Sequence, residues 1–221
     1  MRKYLLLCPV LFCLLLVCFA CQGQDKTKGG GNSKKTNEQL YTDGWRYYRL
    51  KKYSEAEKNF RELSTRSEIL GNYGLGWTLI GEKKFYNSQN EFQKFLAAND
   101  TLHYYGVNFI APSDSIFRNI KAGQTISAYA LGEFVNAEVL CDGFKNNQTI
   151  INNWVFGYQK NITSIDIRLY RAVALIHNQK IGEAIATVKL IDPSFEAEDT
   201  VEGRLILMIR IEELMNERKI F

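Results

Sequence analysis

The spacing of apolar residues from Asn37 onward constrains the fold of this chain more than any other feature of its sequence. These residues recur at intervals of three and four, and alternation with a period of two never extends beyond a few positions. Intervals of three and four place side chains on one face of a helix, whereas a half-buried strand needs the period of two. The pattern therefore predicts an all-α fold.

The predicted helices come in pairs, because short polar turns separate the apolar segments. The three clear pairs are residues 40–50 with 55–63, residues 75–80 with 88–95, and residues 172–176 with 183–191. A weaker pair is predicted from residues 126–140 and 148–158. A single amphipathic helix over residues 201–216 is suited to cap the array.

Two of the pairs repeat one pattern of small and aromatic residues after 32 positions. The first pair has Gly44, Tyr47, Tyr53, Ala56 and Phe60, and the second has Gly76, Leu79, Phe85, Ser88 and Phe92. The small residues let paired helices approach closely, and the large rings fill the space between pairs. The pattern resembles the tetratricopeptide repeat family, which has small-x-x-Tyr in its first helix and Ala-x-x-x-Phe in its second. The resemblance implies a tetratricopeptide-like right-handed α-solenoid of about four helix pairs with a C-terminal capping helix.

The resemblance also divides the chain into segments. Residues 37–100 hold two repeats, residues 123–160 a degenerate helix pair, residues 161–195 a further repeat and residues 196–221 the capping helix. Residues 101–122 interrupt this order, and we expect an ordered insertion there with a short helix over residues 114–121. The insertion is either a loop packed across the array or a lid that contacts a ligand.

The first 20 residues are predicted to direct export. Arg2 and Lys3 precede an uncharged apolar run over residues 4–20, which is the arrangement of a secretory signal peptide. The dipeptide Ala20-Cys21 resembles the end of a bacterial lipoprotein signal, and this resemblance implies that Cys21 is lipidated and anchors the chain to a membrane. Two alternatives stay open, namely ordinary cleavage after Ala20 and an uncleaved helix that spans the membrane.

The net charge of +4 arises in the N-terminal segment and not in the rest of the chain. Six of the 28 basic residues and one of the 24 acidic residues precede Asn37, so the chain from there onward carries a net charge of −1. Residues 22–36 combine lysines with three consecutive glycines and hold no apolar residue to bury, which predicts a flexible tether after Cys21. This distribution argues against nucleic-acid binding.

No catalytic residue, cofactor or metal site is predicted. The chain after Cys21 has two histidines and one cysteine, Cys141, which we expect to be a buried small residue. The alternative from the enzyme class is an envelope glycan hydrolase that uses Glu133 and Glu138. Three Asp-Ser/Thr-apolar triplets also resemble a bacterial O-glycosylation signal. Their acceptor residues are Thr101, Ser115 and Thr200.

The predicted binding site is a row of residues on the first helices of the first two pairs. Two triplets have the spacing i, i+4, i+7, which places their side chains on one helix stripe. They are Tyr41, Trp45, Tyr48 and Tyr73, Trp77, Ile80. In the tetratricopeptide family this stripe lines the groove, so the resemblance implies a binding groove here with Arg49 at its edge. The alternative is that these rings fill the contact between adjacent helices.

The sequence therefore predicts an exported, lipid-anchored scaffold that is not an enzyme and that binds an envelope protein or peptide segment. We expect it at a bacterial outer membrane, on the periplasmic or the surface side. Two roles compete within this class. One is a scaffold in a membrane-protein assembly or secretion complex, and the other is a ligand-binding partner of a small-molecule uptake system. The oligomeric state is not predicted.

Overall fold

The computed structural model of the chain describes residues 34–66, 69–97, 113–142 and 154–218. These ranges contain nine α-helices and no β-strand. The helices are α1 (Asn37–Arg49), α2 (Tyr53–Thr65), α3 (Ile69–Gly81), α4 (Phe85–Ala97), α5 (Ser113–Ala130), α6 (Phe134–Asp142), α7 (Ser164–His177), α8 (Ile181–Lys189) and α9 (Val201–Arg218). Lys35–Phe221 forms one compact unit. The prediction of an all-α fold is confirmed for the described ranges.

Part of what the sequence predicts lies outside the described residues. The signal peptide over residues 1–20, lipidation at Cys21, most of the tether and the acceptor Thr101 belong to that part. Within the described ranges, no helix is both long enough and apolar enough to cross a membrane.

Consecutive helices pack against one another along the described chain. The pairs are α1–α2, α3–α4, α5–α6 and α7–α8, and the second helix of each pair also packs on the first helix of the next pair. The first helices contact one another in the order α1, α3, α5 and α7. Helix α9 packs mainly on α7 and less on α8. This is the order of contacts expected when each helix pair stacks on its neighbours.

The turns within the four pairs share one backbone structure. Each turn has three residues, and the middle one has a positive φ. These middle residues are Lys51 (56°), Lys83 (61°), Gly132 (74°) and Gln179 (61°). In the second turn, the Lys83 N–H donates to the Ile80 carbonyl at 2.9 Å and the next N–H donates to the Leu79 carbonyl at 2.8 Å. The other three turns have the same two hydrogen bonds, which form the Schellman motif that closes a helix end.

The third pair differs from its prediction. The sequence predicted a short helix over residues 114–121 and a longer one over residues 126–140, but α5 runs from Ser113 to Ala130 and a turn follows it. The predicted boundaries were wrong because Gly132 adopts a positive φ, which glycine does without strain and which ends the helix. Residues 113–122 therefore belong to the third pair, and the rest of the expected insertion lies outside the described residues.

The second helix predicted for this pair, over residues 148–158, is absent from its described part. From Trp154 onward the chain forms a loop, in which an isolated antiparallel bridge joins Val155 and Thr163. We name residues 154–162 the aromatic loop. Its rings belong to Trp154, Phe156 and Tyr158.

The described core has two main clusters of buried apolar side chains. One joins helices α1 to α5 with the aromatic loop and extends to Cys141 of α6 and to Ile167 and Tyr170 of α7. The other joins α7, α8 and α9. A Cβ atom at Gly44 would overlap the ring of Phe60, and one at Gly76 would overlap the ring of Phe92. The predicted role of these glycines in close helix contact is confirmed.

Candidate interaction surfaces

The first helices of the first two pairs bring their aromatic side chains into one cluster. Trp45 lies at its centre, and the ring centroids of Tyr48 and Tyr73 are 5.4 Å and 5.3 Å from that of Trp45. The cluster forms because the stripe of α1 and the stripe of α3 face the same side of two packed helices. We name this surface the aromatic face. It consists of Tyr41, Trp45, Tyr48, Tyr73 and Trp77.

The aromatic loop covers the aromatic face. Tyr158 stacks on Trp45 with ring centroids 3.6 Å apart and ring planes 6° apart. Phe156 stacks on Trp77 with ring centroids 3.8 Å apart and ring planes 18° apart. Stacked and edge-to-face ring pairs stabilise a contact beyond the area that they bury. The chain therefore occupies its own aromatic face.

The predicted binding groove is not accessible. Six of the seven side chains expected to line it are no more than 5% exposed. They are Tyr41, Trp45, Tyr48, Tyr73, Trp77 and Ile80. Arg49 is exposed. The groove prediction is wrong, because helical spacing shows which residues share a stripe and does not show what covers that stripe. The rings lie in the interior, in agreement with the alternative that they fill the contact between adjacent helices. The aromatic loop also covers them.

Glu133 and Glu138 have different surroundings and different partners. Glu138 is buried, pairs with Lys180 at 2.6 Å and accepts a hydrogen bond from Asn178 at 2.7 Å. Burial acts to raise the pKa of Glu138, but these two bonds outweigh burial and hold the pKa below its ordinary value. Glu133 is exposed and accepts a hydrogen bond from Gln89 at 2.9 Å. A glycosidase acid needs a raised pKa, so Glu138 lends no support to the hydrolase alternative and instead links α6 to the turn after α7.

Cys141 is buried, as the sequence predicts. Burial raises the pKa of its thiol to about 12, so the thiol stays protonated and is a poor nucleophile at neutral pH. His177 stacks on Phe134 with ring centroids 3.7 Å apart. In the part of the chain that the structure describes, no group of three or more His, Cys, Asp or Glu side chains is placed to hold a metal ion.

Two of the three predicted glycosylation acceptors lie in the described residues. Ser115 is half-buried near the start of α5. Thr200 is exposed directly before α9, and its Oγ1 accepts a hydrogen bond from the Gly203 N–H at 3.0 Å. Thr200 therefore caps α9, while glycosylation at either position stays a prediction.

Helix α9 has apolar side chains on two sides. Its inner side buries Leu207, Ile211 and Leu214 in the second core cluster. Five large apolar side chains of α9 are exposed, namely Ile206 (44%) and four others, which we name the outer face of α9. They are Val201 (88% exposed), Leu205 (59%), Met208 (54%) and Ile209 (49%). The sequence predicted this helix correctly, but a capping helix has a polar outer side, and the first half of α9 does not.

Acidic residues border the outer face of α9. Glu202 follows Val201 directly, while Glu212 and Glu213 lie one helical turn after Met208 and Ile209. All three glutamates are exposed. Arg204 on the same part of the helix is also exposed, and Glu213 pairs with Arg210 at 2.9 Å. The surface is thus an apolar patch with a rim that carries both charges.

Comparisons of the chain with protein-family models, with curated proteins and with solved structures find no significant match.

Proposed function

We propose that this chain is a non-enzymatic interaction scaffold of the cell envelope, built as a tetratricopeptide-type right-handed α-solenoid of four helix pairs and a final helix. The four turns support the repeated architecture, since each pair has the same turn length and the same two backbone hydrogen bonds. The contacts between successive first helices support it further. Scaffolds of this kind act by presenting helix faces to partners.

The exposed outer face of α9 carries the proposal. In a stack of helices each apolar face is covered by a neighbouring helix, so a helix with an exposed apolar side is suited to bind a partner there. Contiguous exposed apolar side chains with a polar rim mark interaction sites on soluble domains. Each half-exposed side chain that a partner buries would contribute on the order of 1 kcal/mol. The outer face of α9 therefore offers enough apolar surface for a specific contact.

The surface also indicates the chemistry of the partner segment. A helix continues a stack of helices, and a helix with an apolar stripe would cover Leu205, Met208 and Ile209. The mixed charges of the rim favour flanks of complementary charge beside that stripe, because opposite charges guide encounter and fix register. The proposed partner segment is an amphipathic helix with charged flanks, belonging to another envelope component.

The location rests on the sequence. A signal peptide followed by a lipidated Cys21 would hold the array at the membrane, and the outer membrane of a bacterium is the proposed site. The 15 residues from Gln22 to Thr36 would span roughly 20 Å as a glycine-rich coil. This distance keeps the array close to membrane-bound partners.

The test uses the full chain in its envelope. The double variant Leu205→Glu with Ile209→Glu places two charges in the outer face of α9. We expect an envelope component to co-purify with the wild-type chain and to cross-link to a photoreactive residue at position 208. The double variant should no longer bind this component. The expected decrease in affinity is at least about 100-fold, because two carboxylates would be buried without partners.

The matched control is a second exposed apolar pair with the same spacing. Val135 and Val139 on α6 are 69% and 65% exposed. The double variant Val135→Glu with Val139→Glu should keep the component. Equal recovery by both double variants would refute the outer face of α9 as the binding surface.

A further inference from the structure

A cavity of about 550 Å³ lies between helices α5, α7 and α9. This volume falls within the range of roughly 300–1,000 Å³ that small-molecule sites occupy. Phe85, at the start of α4, also contributes to the wall. The described lining includes no residue of the aromatic face and none of the outer face of α9, so the cavity is distinct from both surfaces.

Most of the cavity wall is apolar or aromatic. Ile126, Leu169 and Met215 contribute aliphatic surface. The rings of Tyr129 and Tyr170 lie side by side in the wall, with centroids 4.5 Å apart and planes inclined by 36°. Burial raises the pKa of both phenols, so they remain neutral. A ligand with an apolar body matches these walls.

The polar part of the cavity wall includes Asp166 and Arg218, whose geometry is fixed by an ion pair. The Asp166 side chain is fully buried, and its Oδ1 and Oδ2 accept hydrogen bonds from Arg218 Nε at 2.6 Å and Nη2 at 2.8 Å. Oδ2 also accepts hydrogen bonds from the Thr163 N–H and hydroxyl at 2.6 Å and 3.0 Å. The carboxylate is therefore occupied by protein donors and holds the guanidinium plane in place.

Arg218 keeps donors for a ligand. Its side chain is 26% exposed and lines the cavity. Among the described residues, none of the hydrogen bonds of Arg218 uses its Nη1. Asn216 also lines the cavity. A rigid guanidinium with an available N–H group is suited to a negatively charged acceptor.

We propose that this cavity binds a small amphiphile with an anionic head group. Its apolar body packs against the two tyrosine rings and the aliphatic wall, and its head group, of carboxylate type, accepts hydrogen bonds from Arg218. This site is independent of the partner contact on the outer face of α9. A ligand of this class suits the second role expected from the sequence, in which the chain takes part in small-molecule uptake.

Two fluorescent probes separate the contribution of the head group from that of the apolar body. Anilinonaphthalene sulfonate carries an anionic group on an aromatic body, and phenylnaphthylamine has the same body without the charge. Titration of residues 35–221, the compact unit, should show the sulfonate binding at least about 5-fold more tightly, as expected for one charge-assisted hydrogen bond. Dodecanoate should displace the sulfonate probe more effectively than dodecanol does. Equal affinity of the two probes would overturn the role of Arg218.

Substitutions that leave the ion pair intact locate the binding site. Ala130 is exposed at the end of α5 and lines the cavity. The variant Ala130→Trp therefore fills the cavity and should lower the affinity for the sulfonate probe at least about 10-fold. Ala186→Trp on the exposed side of α8 is the matched control and should bind as wild type does. Asn216→Asp places a negative charge in the cavity wall and should weaken binding of the sulfonate probe while leaving binding of phenylnaphthylamine unchanged.

The double variant Leu205→Glu with Ile209→Glu separates the cavity from the outer face of α9. It should retain the wild-type affinity for the sulfonate probe. Loss of binding in this variant together with wild-type affinity in Ala130→Trp would place the probe on the outer face and overturn the cavity site. Circular dichroism and urea unfolding of every variant show that the compared chains are folded.

Discussion

Three of the four turns within the helix pairs hold a residue other than glycine in the left-handed conformation. Lys51, Lys83 and Gln179 occupy the position that Gly132 occupies in the third turn. A side chain in this conformation costs roughly 1–2 kcal/mol, because its Cβ lies too close to the following carbonyl oxygen. The packing of the helix pairs therefore maintains these turns against a local conformational preference.

Replacing Gly132 with alanine tests this conformation. We expect Gly132→Ala to lower the free energy of unfolding of residues 35–221 by about 1–2 kcal/mol, because alanine does not adopt a positive φ without strain. The matched control is Gly182 in α8, where an added Cβ would meet open space. Gly182→Ala should raise the free energy of unfolding by up to about 1 kcal/mol, since alanine favours the helix. Urea denaturation measures the free energy of unfolding of both variants. If Gly132→Ala and Gly182→Ala change it in the same direction, the turn structure is contradicted.

The buried carboxylate of Glu138 makes stability depend on pH. Burial opposes its ionisation, but the bonds from Lys180 and Asn178 hold the pKa below the ordinary 4.5. A lowered carboxyl pKa contributes stability that is complete above the ordinary value and is lost as the pH falls through the lowered folded value. We expect Glu138→Gln to cost about 1 kcal/mol at neutral pH, a small value because Lys180 is half-exposed.

The difference between Glu138→Gln and wild type should shrink as the pH falls below the ordinary carboxyl pKa, because the protonated wild-type side chain then resembles glutamine. Urea unfolding over a series of pH values measures this. Glu133→Gln is the control, since Glu133 is exposed and its replacement should change stability by less than about 0.5 kcal/mol at every pH. A cost of Glu138→Gln that is the same at neutral and acidic pH would argue against the ion pair.

At the scale of secondary-structure elements, the helices of the three clear pairs and α9 could be predicted from the sequence. The signal is local, because it depends only on neighbours three and four positions away. The cover of the aromatic face depends on distant residues, as when Tyr48 donates a hydrogen bond to Gln159, 111 positions later. No local pattern marks such a contact, and the groove prediction failed for this reason.

The aromatic loop nevertheless has a sequence signal of its own. Trp154, Phe156 and Tyr158 alternate with a period of two, which is typical of an extended chain with one buried side. The outer face of α9 is also visible in the sequence, since Leu205, Met208 and Ile209 lie outside the buried stripe of the helix. The sequence does not show whether another helix of the chain covers these three side chains. Only the structure shows that they are exposed.

The aromatic loop should behave as part of the core. Phe156 is fully buried against Trp77, so Phe156→Ala should lower the free energy of unfolding of residues 35–221 by roughly 3–5 kcal/mol. Val155, the preceding residue, is 49% exposed, and Val155→Ala should cost less than about 1 kcal/mol. Urea denaturation of the two variants gives the comparison. Similar small effects at both positions would show that the loop is dispensable for the fold.

At the scale of the whole molecule, the proposed anchor and the proposed partner surface lie near opposite ends of the sequence. Cys21 and the tether precede α1, while the outer face and the cavity both involve α9. The aromatic loop closes the face of α1 and α3, so that face is not left for a partner. The arrangement fits a scaffold that is held to the membrane by its first segment and binds with its last helix.

Lipidation at Cys21 can be tested against both alternatives in one fractionation experiment. A single acyl chain binds a membrane only marginally, so stable retention requires the several chains of a bacterial lipoprotein. The full chain should therefore be retained in the membrane fraction after a carbonate wash and carry acyl groups on Cys21 by mass spectrometry. Cys21→Ala, if cleaved after Ala20, should move to the soluble fraction, whereas Cys18→Ala, which changes another signal cysteine, should stay in the membrane. If the wild-type chain is soluble, ordinary cleavage after Ala20 is indicated instead. If every variant stays in the membrane with residues 1–20 still attached, a spanning helix is indicated.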